Sequence, residues 1–152
     1  MNPLAQSQKD QIREVADIPR RLTYITCYGQ RGASCVTETD TLVDLSGEEI
    51  GSIDLSPLSS CTQLLELDIS RNSLKNIDLS ALSSCSRLQR LYLSYNSLKS
   101  IDLSPLSSCT QLLELYLSYN SLRSIDLSPL SSCTQLRRLA VDDSARIVAT
   151  GS

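Results

Sequence analysis

Apolar and polar residues alternate in short segments that return at a constant interval along the chain. In one segment Leu91 and Leu93 flank Tyr92, and this alternation predicts a short strand with one buried face. The interval between segments is 24 residues, too long for a hairpin return, so successive strands should be parallel and joined by crossovers. The repeating units are 50–73, 74–97, 98–121 and 122–145.

Each unit also carries a serine-rich segment between its strand and the next. In the third unit this segment begins at Ser104, which we expect to cap a helical turn with Pro105 in the first position. Leu106 and Cys109 are three residues apart and should both face the strand. Each unit is therefore predicted to form one coil of a solenoid, whose apolar edge is covered only by the next coil.

Three consecutive units match the pattern L-x-x-L-x-L-x-x-N-x-L, which resembles the leucine-rich repeat family. The resemblance implies an α/β fold: a right-handed solenoid with a parallel sheet on its concave face and short helical turns on its convex face. It also implies an interaction module without catalytic activity. The asparagines of the pattern should satisfy backbone groups in neighbouring coils, and they are Asn72, Asn96 and Asn120.

The ends of the chain depart from the repeat. Ser144 replaces the asparagine in the last unit, so we expect a C-terminal cap from Leu139 onward. Leu42 to Leu45 should form an edge strand of the sheet. The predicted organisation is an N-terminal capping segment over 1–41, a repeat domain over 42–144 and a tail over 145–152.

The capping segment itself does not repeat. Asn2 and Pro3 suit the start of a helix that would end before Pro19. Residues 23–28 alternate like a strand, and residues 29–34 suit a turn.

The composition removes several classes of function. The chain of 152 residues has no histidine, which excludes histidine-activated nucleophiles and removes the commonest metal ligand. Its net charge of -3 argues against nucleic acid as a partner. No apolar run is long enough to cross a bilayer, so no membrane association is predicted. The first residues lack a secretory signal, which places the chain in the cytoplasm with reduced cysteines.

Two neighbouring columns of the predicted sheet carry tyrosines, and together they form a two-by-two patch. Tyrosine offers rigid apolar area and a polar tip, which suits a binding surface. Cross-strand tyrosines also stabilise sheets, and repeat duplication would copy them without any partner. We use the term tyrosine patch for Tyr92, Tyr95, Tyr116 and Tyr119.

A third column alternates in charge and flanks the patch. Its simplest interpretation is a lateral ladder of exposed salt bridges, although it could also recognise a charged partner. We use the term charged column for Glu66, Arg90, Glu114 and Arg138.

Two further columns resemble metal sites at first sight. One contains Cys61, Cys85, Cys109 and Cys133, but thiols strung along the solenoid axis do not converge on one ion, so packing is the expected role. The other contains Asp54, Asp78, Asp102 and Asp126, whose like charges should repel and be offset by Lys75, Lys99 and Arg123. We predict neither metal nor cofactor. Cys27 and Cys35 could bridge a hairpin under oxidising conditions.

The function that follows is a protein- or peptide-binding module that uses the concave sheet face and performs no catalysis. The near-identity of the units also fits an engineered or consensus-like scaffold with no natural ligand. Leu65 and Leu113 are expected to be exposed on the concave face, where they would allow a homodimer to form face to face.

Overall fold

The computed structural model describes residues 18–148, and the helix predicted near the N-terminus lies outside them. No helix among these residues is long and apolar enough to span a membrane. The strands of the described region are β1 Arg20–Thr26, β2 Arg31–Val36, β3 Leu42–Asp44, β4 Ile50–Ile53, β5 Glu66–Asp68, β6 Arg90–Tyr92, β7 Glu114–Tyr116, β8 Ser124–Asp126, β9 Arg138–Ala140 and β10 Arg146–Val148. Its 3₁₀ turns are Ser56–Ser60, Ser80–Ser84, Ser104–Ser108 and Ser128–Ser132.

The main sheet confirms the predicted parallel stacking. Its strand order is β3-β5-β6-β7-β9, and every neighbouring pair is parallel. Leu67 pairs with Leu91 and Leu91 with Leu115, so residues one unit apart lie side by side. These three leucines are fully buried, and the leucine of each 3₁₀ turn packs toward them. The described chain is a solenoid with a parallel sheet on one face and 3₁₀ turns on the other.

The asparagine of each repeat closes the turn that follows the strand, as predicted. Asn96 is buried, and its Oδ1 accepts a hydrogen bond from the Leu74 N–H at 3.0 Å. Its Nδ2 donates to the carbonyls of Ile69 and Leu93, at 3.0 and 3.2 Å. One amide therefore satisfies backbone groups of two adjacent coils, which an apolar side chain could not do.

In the last coil a carboxylate takes the place of the backbone carbonyls that a following coil supplies elsewhere in the stack. Asp142 accepts hydrogen bonds from the N–H groups of Tyr119, at 2.6 Å, and Asn120, at 2.9 Å. Ser144, which stands at the asparagine position, is exposed. Beyond it, β10 pairs in parallel with β8, so the described part of the segment predicted as a tail adds another strand to the solenoid.

The predicted serine caps of the 3₁₀ turns are wrong. Leu103 precedes the third turn and makes no side-chain cap, and Pro105 occupies the second position rather than the first. The Ser104 N–H instead donates to Oδ1 of Asp102 at 2.9 Å. An aspartate two residues before the donor forms a local turn of its own, and this suits the tight start of a 3₁₀ turn.

The aspartate column is explained by this capping role. Hydrogen bonds from the Ser104 hydroxyl and backbone lower the pKa of Asp102, while burial and the charges of Asp78 and Asp126 raise it. The like charges do repel, as expected. The hydrogen bonds outweigh this repulsion and keep the carboxylate ionised.

The N-terminal hairpin covers the first coil. Strand β1 pairs antiparallel with β2 and with β4, and its Leu22 and the Val36 of β2 are buried. The predicted turn over 29–34 is wrong, because β2 already begins at Arg31. Gly32 lies opposite Tyr24, and a Cβ on Gly32 would clash with the Tyr24 ring. This glycine makes room for an aromatic ring within a strand.

A disulfide between Cys27 and Cys35 does not fit this hairpin. Cys35 pairs with Arg21, whereas Cys27 follows the other end of β1. Six residues of strand separate the two positions by roughly 20 Å, far outside disulfide range. Both cysteines are free and exposed.

Candidate interaction surface

The tyrosine patch forms on the sheet face, with its members arranged as two stacked pairs. Tyr92 ends β6 and Tyr116 ends β7, and the register places them side by side. Their ring centroids are 5.1 Å apart and the ring planes differ by 16°. Both side chains are half-buried. We use the term inner pair for these two residues.

Tyr95 and Tyr119 form the outer pair, which lies in the turn after each strand. Their ring centroids are 4.3 Å apart and the planes differ by 8°. They are 49% and 63% exposed, among the most open large side chains of the described region. Both have left-handed backbone conformations, with φ of 58° and 59°. The patch therefore combines a half-buried pair with an exposed pair.

Hydrogen bonds between coils impose the left-handed conformation on the outer pair. The Tyr95 N–H donates to the Ser118 carbonyl at 3.0 Å, and the Asn96 N–H donates to the Tyr119 carbonyl at 3.2 Å. Gly47 occupies the same position one coil before Arg71, also at positive φ. A glycine adopts this conformation without steric cost, whereas a tyrosine adopts it only at a steric cost.

Arg71 extends the outer pair and was missed as a site residue by the sequence analysis. Its guanidinium carbon lies 5.6 Å from the centroid of the Tyr95 ring, within cation–π range. Arg71 precedes Tyr95 by one unit and shares its left-handed backbone, with φ of 58°. The constant spacing could have found it, because it stands in the same column as the outer pair.

The charged column forms two ion pairs rather than one continuous ladder in the described structure. Arg90 lies 3.1 Å from Glu66, and Arg138 lies 3.9 Å from Glu114. The arginines are 41% and 69% exposed and the glutamates 30% and 22%, so solvent screens both pairs and each contributes little to stability. The structure brings all four charged side chains to the edge of the inner pair.

The inner pair is coupled to these charges. The Tyr116 hydroxyl donates to Glu114 at 3.3 Å. Burial raises the pKa of Tyr92 above its ordinary value, and the charges of Glu66 and Glu114 raise it further. The Tyr92 phenol is therefore neutral near pH 7 and can donate a hydrogen bond to a ligand.

The family model for leucine rich repeats matches the chain twice, over residues 41–98 and 86–144. The chain belongs to the leucine-rich repeat family. The two matches together span the described solenoid from just before β3 to beyond β9. No curated protein sequence matches the chain. Leucine-rich repeat proteins are typically protein-interaction modules without enzymatic activity.

Solved leucine-rich repeat structures share the fold. An internalin from Listeria monocytogenes is 27% identical, with a TM-score of 0.52, and the match covers 77% of this chain and 40% of the internalin chain. The BIR2 ectodomain from Arabidopsis thaliana is 25% identical, with a TM-score of 0.59 over 76% of this chain and 57% of that one. This leucine-rich repeat chain thus spans less than two thirds of each of these structures.

A third neighbour covers nearly the whole chain. The leucine-rich repeat domain of APL1B matches 99% of this chain and 37% of its own, with a TM-score of 0.64. Its sequence identity is 17%, so the likeness concerns the fold alone.

The cysteine column packs in the leucine-rich repeat core, as expected. Cys61, Cys85, Cys109 and Cys133 are all buried. The Cys109 thiol donates to the Leu82 carbonyl at 3.4 Å, and burial raises its pKa to about 12. A thiol with such a pKa is a poor nucleophile at neutral pH. Within residues 18–148, no group of three or more metal-binding side chains comes together.

The apolar basis for a face-to-face dimer is weaker than predicted. Leu65 and Leu113 are half-buried rather than exposed, because neighbouring coils flank them on the sheet. The backbone N–H of Gln89 donates to the Leu65 carbonyl, and that of Arg137 to the Leu113 carbonyl. The tyrosines and Leu42 of β3, which is 56% exposed and pairs with Glu66, supply more exposed apolar area on this face than these two leucines.

Proposed function

We propose that this protein is a non-catalytic binding module that holds an extended peptide or a small protein epitope on its sheet face. The tyrosine patch is the main contact, and the charged column sets the orientation of the partner. One observation carries the proposal: the outer pair keeps two stacked, exposed tyrosines in a left-handed backbone conformation.

The left-handed conformation argues against a purely structural role for the outer pair. It costs roughly 1–2 kcal/mol for each non-glycine residue. Gly47 meets the same geometric requirement in an earlier coil. The sheet is already supported by the inner pair, so Tyr95 and Tyr119 add exposed aromatic area at the expense of stability. Backbone strain of this kind concentrates at functional positions.

Preorganisation makes a small patch useful. Ring stacking restricts the outer pair before a partner arrives, and tyrosine loses little rotamer entropy on binding. Because the charged column presents both signs beside the rings, it favours a partner with apolar and charged residues interspersed.

A selection from phage-displayed random peptides tests the proposal. Peptides selected on the wild type are measured against a variant with Tyr95→Ser and Tyr119→Ser, and against Tyr28→Ser as a matched control. Tyr28 is 74% exposed but lies in the N-terminal hairpin. We expect the patch variant to lose at least about tenfold in affinity, or ~1.4 kcal/mol, and the control to lose none.

Two outcomes contradict the proposal. Equal binding to the patch variant would place the contact elsewhere on the molecule. A wild type that selects no peptide would favour the scaffold without a natural ligand, for which the near-identical repeats also speak.

We also propose the cytoplasm as the compartment. The six free cysteines support this proposal, because free thiols are the usual state of cysteine in a reducing compartment. A fluorescent fusion seen outside the cytoplasm would contradict it.

A further inference from the structure

The two ends of the solenoid are finished differently. At the N-terminal end, the β1–β2 hairpin covers the first coil and buries Leu22 and Val36. At the C-terminal end, β9 is the last strand of the main sheet. Leu139 of this strand is 39% exposed, whereas the equivalent Leu115 one coil earlier is fully buried.

Strand β10, which belongs to the two-stranded sheet with β8, shows the same contrast in exposure. Ile147 in β10 pairs with Ile125 in β8. Ile125 is 1% exposed and Ile147 is 64% exposed. Leu136 and Val141 pack against the core without being fully covered. The described C-terminal end therefore presents leucine, isoleucine and valine side chains that every internal coil would bury.

The outer edge of β9 is also available for backbone pairing. In the internal coils, the N–H groups of Ile69, Leu93 and Leu117 each donate to a carbonyl of the following coil. Val141 holds the equivalent position in the last coil, and no strand of the described sheet lies beyond it. An open edge of this kind accepts a further strand.

The sequence around β9 is complementary to its own reverse. Residues 137–143 read Arg-Arg-Leu-Ala-Val-Asp-Asp, with two basic residues before the apolar centre and two acidic residues after it. In an antiparallel pair centred on Ala140, Arg137, which precedes β9, comes to the same end of the pair as Asp143 of the other copy, which lies in the turn after β9. Both side chains are exposed, and Leu139 faces Val141 on the side of the core.

We propose that two copies of this chain associate tail to tail, with β9 pairing antiparallel to β9 about a two-fold axis at Ala140. The two main sheets then form one continuous sheet, and the exposed Leu139 and Ile147 are covered. The arrangement is isologous, so it closes at the dimer. A parallel, in-register pairing would instead place arginine beside arginine. The Arg137–Asp143 contact carries the specificity, because Asp142 already closes the turn at Tyr119.

Charge reversal tests this geometry by sedimentation equilibrium of the full chain at about 100 μM. We expect the wild type to be dimeric. Arg137→Asp and Asp143→Arg each place like charges opposite one another twice in the dimer, so each variant should lose at least about tenfold in dimer affinity. An equimolar mixture of the two variants restores both opposite-charge contacts and should restore the dimer. Circular dichroism confirms that each variant is folded.

Several results would overturn the proposal. A monomeric wild type would show that β9 does not pair with a second copy, and an open series of oligomers would indicate head-to-tail stacking. Dimers unaffected by either reversal, or a mixture that stays monomeric, would place the contact elsewhere. Peptide binding by Arg137→Asp should equal that of the wild type, so this test is independent of the tyrosine patch.

Discussion

The inner and outer tyrosine pairs come from the same two repeats and lie three residues apart, yet their environments differ. The inner pair lies in extended strands, is half-buried and is flanked by glutamates. The outer pair lies in left-handed turns, is exposed and stacks more closely. Repetition copies the residue type, but the backbone at each position decides whether the ring supports the sheet or faces a partner.

The largest expected effect comes from Asn96, which closes the turn that follows Tyr92 and contains Tyr95. Asn96→Ala leaves the Leu74 N–H without its partner, and it removes one hydrogen bond each from the carbonyls of Ile69 and Leu93, which keep those from Asn72 and Asn120. We expect the free energy of unfolding to fall by about 3 kcal/mol, because one buried N–H becomes unsatisfied and two further hydrogen bonds are lost. Urea unfolding measures this, with the exposed Asn76→Ala as control. A loss equal to that of the control would contradict the role of the asparagine ladder.

The two pairs should respond differently to the same substitution. Tyr116→Gly removes a half-buried ring from an extended strand, where glycine is also unfavourable, and should cost about 2 kcal/mol. Tyr119→Gly loses ring stacking but relieves the left-handed strain, so its stability should stay within about 0.5 kcal/mol of the wild type. Thermal and urea unfolding measure both. Equal losses would remove the distinction between the pairs.

Arg71 sharpens the comparison, because it shares the backbone of the outer pair without belonging to a ring stack. Arg71→Gly relieves a left-handed conformation and loses one exposed cation–π contact. We expect a net gain of about 0.5 kcal/mol in the free energy of unfolding. A loss of stability would show that the Arg71–Tyr95 contact outweighs the strain.

The smallest effect concerns the inner pair at alkaline pH. The pKa of Tyr92 is raised in the folded state, chiefly by burial, so the unfolded chain loses this proton first as the pH rises. The stabilisation that this difference in the pKa of Tyr92 gives the folded state is therefore fully present below about pH 10. It is lost as the pH rises through the pKa of Tyr92 in the folded state. Between about pH 9 and pH 11, the wild type should lose slightly more stability than Tyr92→Phe. Identical pH profiles would contradict this assignment.

The sequence predicts the parts of the molecule that depend on spacing. Leucines at a constant interval can be buried only if the coils stack, so the side-by-side placement of Tyr92 and Tyr116 follows from the pattern. The asparagine ladder follows as well, because few side chains both donate and accept in a sharp turn.

The sequence pattern does not predict the local geometry of caps, turns and close contacts. The serines before each 3₁₀ turn suited a cap, but the tighter turn is closed by the preceding aspartate, as with Asp102. Gly32 suited a turn, although it lies in a strand beneath the Tyr24 ring. The left-handed conformation of Tyr95 carries no residue-type signal, because tyrosine is not a residue that favours it. Each of these depends on contacts that only the folded chain defines.

The buried thiols allow the opening of each coil to be followed separately. Cys61, Cys85, Cys109 and Cys133 sit one to a coil, each donating to a backbone carbonyl of the coil before it. An alkylating reagent reaches such a sulfur only when its own coil opens, whereas Cys27 and Cys35 react at once. The order in which the four thiols are alkylated would therefore show the order in which the coils unfold.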